Sequence, residues 1–211
     1  MTIILPATYL GPISYYAMVA KFKDLIIEQY EYYEKQTYRN RCCIYSPNGL
    51  LNLTIPVIHE KKRIMIKDAR ISYRENWQKV HWKSLETAYM SSPYFEYYED
   101  DIRPIFEKRQ SYLAAFNLEL FKKALELLNI NRKISFTKTH QLNYEDAVLD
   151  LRNAFSLKPE NIKEAVFPRY HQVFENKYGF MPNLSIADLL FNQGPKSLEY
   201  LKSISIPKII R

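Results

Sequence analysis

The chain has 211 residues, a net charge of +7, 47% hydrophobic and 25% charged residues. That is an ordinary globular composition, with enough length for one large domain, or one domain with an appendage, to bury a core without staples. Its four glycines argue against a glycine-rich nucleotide loop. Lysines and arginines are spread along the chain rather than gathered, so direct nucleic-acid binding is disfavoured, and the positive balance suits a small anionic substrate instead.

Tyrosine is the unusual component, with 18 copies. Each buried ring brings a hydroxyl that needs a partner, so polar networks inside the core are expected. Cys42 and Cys43 are adjacent and are the only cysteines. They lack metal-ligand spacing and read as buried thiols on a strand, which favours a reducing compartment. No metal and no cofactor is expected. The opening Met1–Pro6 has neither the basic region nor the cleavage site of a secretory signal, and no apolar run reaches the length of a membrane span. A cytoplasmic protein is expected, with its oligomeric state left open.

Thr2–Leu5 is a short apolar run stopped by Pro6 and reads as a buried strand. Gly11-Pro12 opens a helix in which Ile13, Tyr16, Ala17 and Ala20 recur at helical spacing through Phe22. Leu25–Ile27 gives a second strand, so strand, helix and strand suggest a parallel crossover. Arg41–Tyr45 and Leu50–Val57 flank Pro47-Asn48-Gly49, a hairpin signal. Ile64 and Ile66 continue the strand-rich part. Trp77, His81, Leu85 and Tyr89 form one helical stripe behind Asn76 as N-cap. Ser92-Pro93 and Arg103-Pro104 each mark a new helix, and Leu113–Leu127 another. Lys133–Lys138 alternates as a strand. Tyr144–Phe155 and Phe167–Tyr178 read as helices, the latter stopped by Gly179. Ser185 and Asp188 start a short helix that ends at Gly194-Pro195.

The fold class is therefore α/β, with a mixed sheet from the N-terminal half, covering helices and a helical C-terminal half. Residues 1–138 form the α/β domain carrying the site, and 139–211 form a helical extension packed on the same core.

Candidate site residues fall in three islands. The exit of the first strand, Pro6–Gly11, lies where open parallel sheets bind ligands. The following helix start offers backbone N–H groups to an anion, and Tyr9 and Tyr15 would orient the substrate. Arg39 and Arg41 could hold a phosphate or carboxylate in bidentate fashion, with Asn40 between them and Lys35 nearby. His81 shares a helical face with Trp77, and an imidazole against an indole is a candidate general base. His59, His140 and His171 attract no assignment. The acidic stretch Glu96–Asp101 reads as a charged helix face pairing with Arg103, Lys108 and Arg109.

These islands together resemble the WbqC-like protein family. The resemblance is carried by Leu5-Pro6-Ala7-Thr8-Tyr9-Leu10-Gly11 through Tyr15-Tyr16 and by Asn40-Arg41 before Cys42. It continues with Leu53-Thr54-Ile55-Pro56-Val57, with Trp77, His81, Tyr89, Pro93, Tyr94 and Phe95, and with Leu184–Asn192 followed by Gly194. Many members carry glutamine before the first proline, where this chain has Leu5. The resemblance implies a place in bacterial surface-polysaccharide (O-antigen-like) gene clusters and a glycine or aminoacyl transferase acting on an amino sugar. It brings no established catalytic set. On that reading Arg39 and Arg41 hold the anionic part of a nucleotide sugar. His81 deprotonates the attacking amine, and Tyr9, Tyr15 and Asn40 position the substrate. The alternatives are a non-enzymatic ligand-binding or assembly protein of the same pathway and, on topology alone, a nucleotidylyltransferase-like enzyme.

Overall fold

The computed structural model of the chain describes residues 1–58, 63–144, 148–155, 157 and 165–205. Two sheets and a set of helices share one apolar core. The first strand, β1 (Thr2–Pro6), leads through helix α1 (Ile13–Lys21) to β2 (Asp24–Glu28), which pairs with β1 in parallel. Ile3, Ile4 and Leu5 are wholly buried. A parallel strand covered on both faces needs such an uninterrupted apolar run, and each of these side chains contributes roughly 1.5–3 kcal/mol by leaving water. Two later strands complete the sheet: β5 (Lys133–Phe136) pairs with β2, and β6 (Val148–Asp150) pairs with β1, both in parallel. The spatial order is β5-β2-β1-β6. The chain thus steps outward from β1 on one side and returns to place its last strand on the other.

The hairpin of β3 (Arg41–Ser46) and β4 (Gly49–Thr54) forms its own two-stranded antiparallel sheet, and Gly49 takes φ +93° at the turn. Helices α2 (Trp77–Tyr89), α3 (Phe95–Glu107) and α4 (Leu113–Leu127) follow, then α5 (Glu175–Tyr178), α6 (Ile186–Gln193) and α7 (Ser197–Ser203). The end of α4 is a Schellman arrangement. Asn129 sits at φ 54°, its N–H reaches the Glu126 carbonyl, and Ile130 N–H reaches Leu125 at 2.8 Å. Just beyond, Arg132 donates to the Val19 and Ala20 carbonyls at the carboxyl end of α1. A guanidinium there satisfies orphan carbonyls and the negative end of the helix dipole, and it ties α1 to the start of β5.

The α/β architecture is as the sequence indicates, but several elements differ. Tyr144–Phe155 is not a helix: Val148–Asp150 is a strand beside β1. A three-residue apolar run has no periodicity of its own, and the open edge of β1 decides its state. Residues 145–147 of that stretch, and His59, lie outside the described residues. Arg103-Pro104 starts no new helix. Pro104 lies inside α3, where Ile102, Ile105 and Phe106 keep one face buried through the missing N–H. Of Phe167–Tyr178 only Glu175–Tyr178 is helical, because Tyr170 and Gln172 turn inward to hydrogen-bond Asp188. Ile64 and Ile66 belong to no strand; Ile66–Asp68 is a 3-10 turn. Asn76 occupies the N-cap position of α2 without a side-chain cap bond, whereas Ser185 does cap α6 by accepting from Ala187 N.

Candidate functional site

The strand order reverses between β1 and β6, and in open parallel sheets the crevice beyond the carboxyl ends of such strands is the usual ligand site. The strands here end at Pro6, Glu28 and Asp150. Just past them the chain concentrates charge. Glu28 is wholly buried at the end of β2 and pairs with Arg152, two residues past β6, at 3.2 Å. Arg152 also grips Asp150 and donates to the Gln141 and Leu142 carbonyls. Its donors are engaged, and its guanidinium lies 4.9 Å from the ring centre of Tyr144. Those bonds hold Asp150 below its usual range despite the opposing effect of burial.

Arg39, also buried, approaches from the other side. Its Nε and Nη2 donate to the two oxygens of Glu31 at 2.7 and 2.5 Å. Burial raises the Glu31 pKa, and the Arg39 bonds pull only partly against it. The Arg39 hydrogen bonds use Nε and Nη2, and Nη1 has no hydrogen-bond partner among the described residues. Arg39, Arg152, Glu31, Glu34, Tyr32 and His140 line a cavity of about 210 Å³ at this edge. The rings of Tyr32 and His140 lie 6.0 Å apart. Behind the wall, Asn117 on α4 donates to the carbonyls of Ala7 and Arg39 and so joins the exit of β1 to the Arg39 backbone. The Oδ1 atoms of Asn117 and Asn40 are buried with no hydrogen-bond partner among the described residues.

The expected residues separate into places. Arg39 is in the cavity wall. Tyr9, His81 and Trp77 come together, but in the interior: the Tyr9 hydroxyl and His81 Nδ1 are 2.9 Å apart, and the Trp77 ring lies edge-on at 5.1 Å. His81 is 4% exposed. Desolvation lowers its pKa to about 4, opposed in part by the Thr54 backbone, so the ring is neutral at pH 7 and Nδ1 accepts from Tyr9. Tyr15 is buried and donates to the Pro6 carbonyl at 3.1 Å. Asn40 donates through Nδ2 to the Ile55 carbonyl. Arg41 turns to Thr54 on the hairpin, and Lys35 is exposed in the preceding loop.

The amino end of α1 is not open to an anion. Ile13 N–H donates to the Leu184 carbonyl and Ser14 N–H to Asn183 Oδ1, both from the C-terminal segment. The chain caps this helix with itself.

Glu28, Glu31, His140 and Arg152 are the site residues that sequence reasoning missed. The end of Leu25–Ile27 is a parallel-strand exit like that of the first strand, and it leads straight to Glu28 and Glu31. Arg152 was hidden because its strand reads as a helix. A larger groove of about 640 Å³ lies between the hairpin turn and α2, over Leu50 and Val80 with Lys79 and Lys83 beside them. It is a surface trough far along the hairpin from Arg39, its wall residues Leu50 and Val80 are mostly exposed, and it lacks the buried charges of the sheet edge.

The sequence model of the WbqC-like protein family matches residues 7–159, a span that includes the exit of β1, Arg39, His140 and Arg152. A Mycobacterium tuberculosis protein described as uncharacterised, Rv1507c, is 26% identical over 228 aligned positions, which cover 94% of this chain and 96% of that protein. No solved structure matches. Among the described residues no helix is long and apolar enough to cross a membrane.

Proposed function

The chain belongs to the WbqC-like protein family, and from that premise we propose that it is a transferase that places a small acyl or aminoacyl group on an amino sugar, a cytoplasmic step in making a bacterial surface polysaccharide. The family resemblance supplies the reaction class. The observation that supports a small-molecule site is the mixed-charge cavity at the carboxyl edge of the sheet, with Arg39 buried in its wall and one guanidinium nitrogen left without a hydrogen-bond partner among the described residues.

In this reading Arg39 holds an oxyanion of the substrate through Nη1, pre-oriented by Glu31, which fixes the other edge of the fork. Arg152 is a positioning residue, because its donors already bind protein groups. An attacking sugar amine must lose a proton, and the imidazole that lines the cavity is His140. We assign the base to it. His81, held under Tyr9 with its basicity suppressed by burial, keeps Tyr9 in place behind the wall.

A specific observation favours a second reading, a ligand-binding protein without turnover. Among the described residues the cavity lining includes no serine, cysteine or lysine nucleophile, and both thiols are buried on the hairpin. Direct attack by the sugar amine on an activated donor needs no such group, so the two readings part on turnover. Incubating the purified protein with nucleotide-linked amino sugars and activated acyl or aminoacyl donors, with amide product followed by mass spectrometry, decides between them. The transferase reading expects product, and a His140→Gln variant slowed by about 10²-fold or more with KM little changed. Saturable binding with no product from any donor leaves only the binding protein.

A further inference from the structure

The chain is basic overall, at +7, but the cavity lining is of mixed charge, with the carboxylates of Glu31 and Glu34 beside the guanidiniums of Arg39 and Arg152. Inside, Glu31 pairs with Arg39, and Arg152 pairs with Glu28 and Asp150, so these charges largely offset one another. At the mouth stands Glu34, exposed and without an ion pair among the described residues. A bare anion gains one guanidinium edge of Arg39 and leaves the Glu34 carboxylate without a partner. A bare amine finds Glu34 but leaves the Arg39 Nη1 donors unused. Only a ligand carrying both signs satisfies the inner donors and the acidic mouth together.

We propose that the cavity recognises a compact zwitterion, a molecule with an oxyanion that docks on Arg39 Nη1 and a primary ammonium that faces Glu34. This deepens the transferase reading by naming the chemistry of what that site holds, and it rests on that reading for the site's place in a reaction. A cavity of about 210 Å³ accepts a free amino acid or the phosphorylated end of an amino sugar, and both carry this pair of groups. Tyr32, whose ring faces the Arg63 guanidinium at 5.4 Å, supplies an aromatic wall of the same cavity.

Isothermal titration of the full chain at pH 7 tests the proposal with glycine and glucosamine 6-phosphate as zwitterionic probes, and with acetate, inorganic phosphate and methylamine as their single-charge counterparts. At least one zwitterion is expected to bind about 10-fold or more tighter than any counterpart. Glycine alone in that role identifies an amino acid as the source, and the sugar phosphate alone identifies an amino sugar. Glu34→Gln, an exposed change that leaves the fold intact, is expected to weaken the zwitterion by about 3- to 10-fold while acetate and phosphate bind as well or better. Arg39→Lys is expected to weaken every oxyanion probe. Acetate or phosphate binding as tightly as the zwitterions, or an E34Q variant that binds them unchanged, overturns the proposal. The two readings fail separately. Zwitterion binding with no product ends the transferase reading alone, whereas product formed by E34Q at the wild-type KM ends this inference alone.

Discussion

Two buried polar clusters in this molecule solve the same problem in opposite ways. At the carboxyl edge of the parallel sheet, Glu28, Glu31 and Asp150 each meet a guanidinium, that of Arg39 or of Arg152. Beneath the helices, the polar groups have no partner of opposite charge among the described residues. Tyr9 meets a His81 ring whose charge is suppressed. Asp188 is sealed against Tyr170 and Gln172, and burial pushes its pKa up to about 6. A charge taken out of water must find an opposite charge or lose its own. The first solution leaves charge beside a cavity, where it can recognise a ligand. The second leaves hydrogen bonds that fix packing. The location of these acid–guanidinium pairs is therefore what singles out the sheet edge, and not the helical interior, as the candidate site.

Breaking the ionic cluster should have the largest effect. Arg152→Met strands Glu28, which has no exposure, and frees the carbonyls of Gln141 and Leu142. The cost is expected to be about 3–5 kcal/mol in urea unfolding, the range for orphaning a buried charge. Glu28→Gln combined with Arg152→Met should recover a large part of it, because the stranded charge is gone. A double variant no more stable than the single one would show that Arg152 acts through the 141–142 loop and not through charge pairing.

The neutral cluster is sharpened by pH. The folded pKa of Asp188, about 6, lies above its ordinary 3.8. The folded state therefore binds the proton more tightly, and stability from this group falls as pH rises from about 4 to about 6. His81 runs the other way. Its folded pKa, about 4, lies below the ordinary 6.5, so stability is full above 6.5 and is lost as pH falls towards 4. Each slope amounts to about 3 kcal/mol across its window, and they nearly cancel. Asp188→Asn should therefore expose a protein that loses stability steeply on acidification, and His81→Gln one that gains it. Chemical denaturation at several pH values would read both, and a wild-type curve as steep as either variant would contradict the pairing.

Much of this was legible in the sequence where a local signal and the tertiary context agree. Thr2–Leu5, the turn at Asn48-Gly49, the stripe from Trp77 to Tyr89 and the Ser185 cap all have that agreement. That Trp77 and His81 share one face of α2 was legible from their spacing, whereas their burial against Tyr9 was not. What failed to show was set by distant partners. Val148–Asp150 is a strand only because β1 offers an edge, and with it went Arg152 and half the candidate site. Phe167–Phe174 is irregular because Asp188 recruits Tyr170 and Gln172. The amino end of α1 looked like an anion site because nothing local reveals that Asn183, 169 residues later, fills it.

That last contact gives the smallest and most discriminating test of where ligands go. Asn183 sits at φ 56°, so glycine can take its backbone conformation without strain. Asn183→Gly then removes only the Oδ1 that accepts from Ser14 N–H at 2.8 Å. The expected loss is about 1 kcal/mol of stability, with ligand affinity unchanged, since the sheet-edge cavity does not involve this helix end. If oxyanion affinity instead rises when the α1 amides are uncapped, the helix start is a second anion site held shut by the chain itself. The contrast between a charged working edge and a neutral supporting interior would then have to be drawn elsewhere.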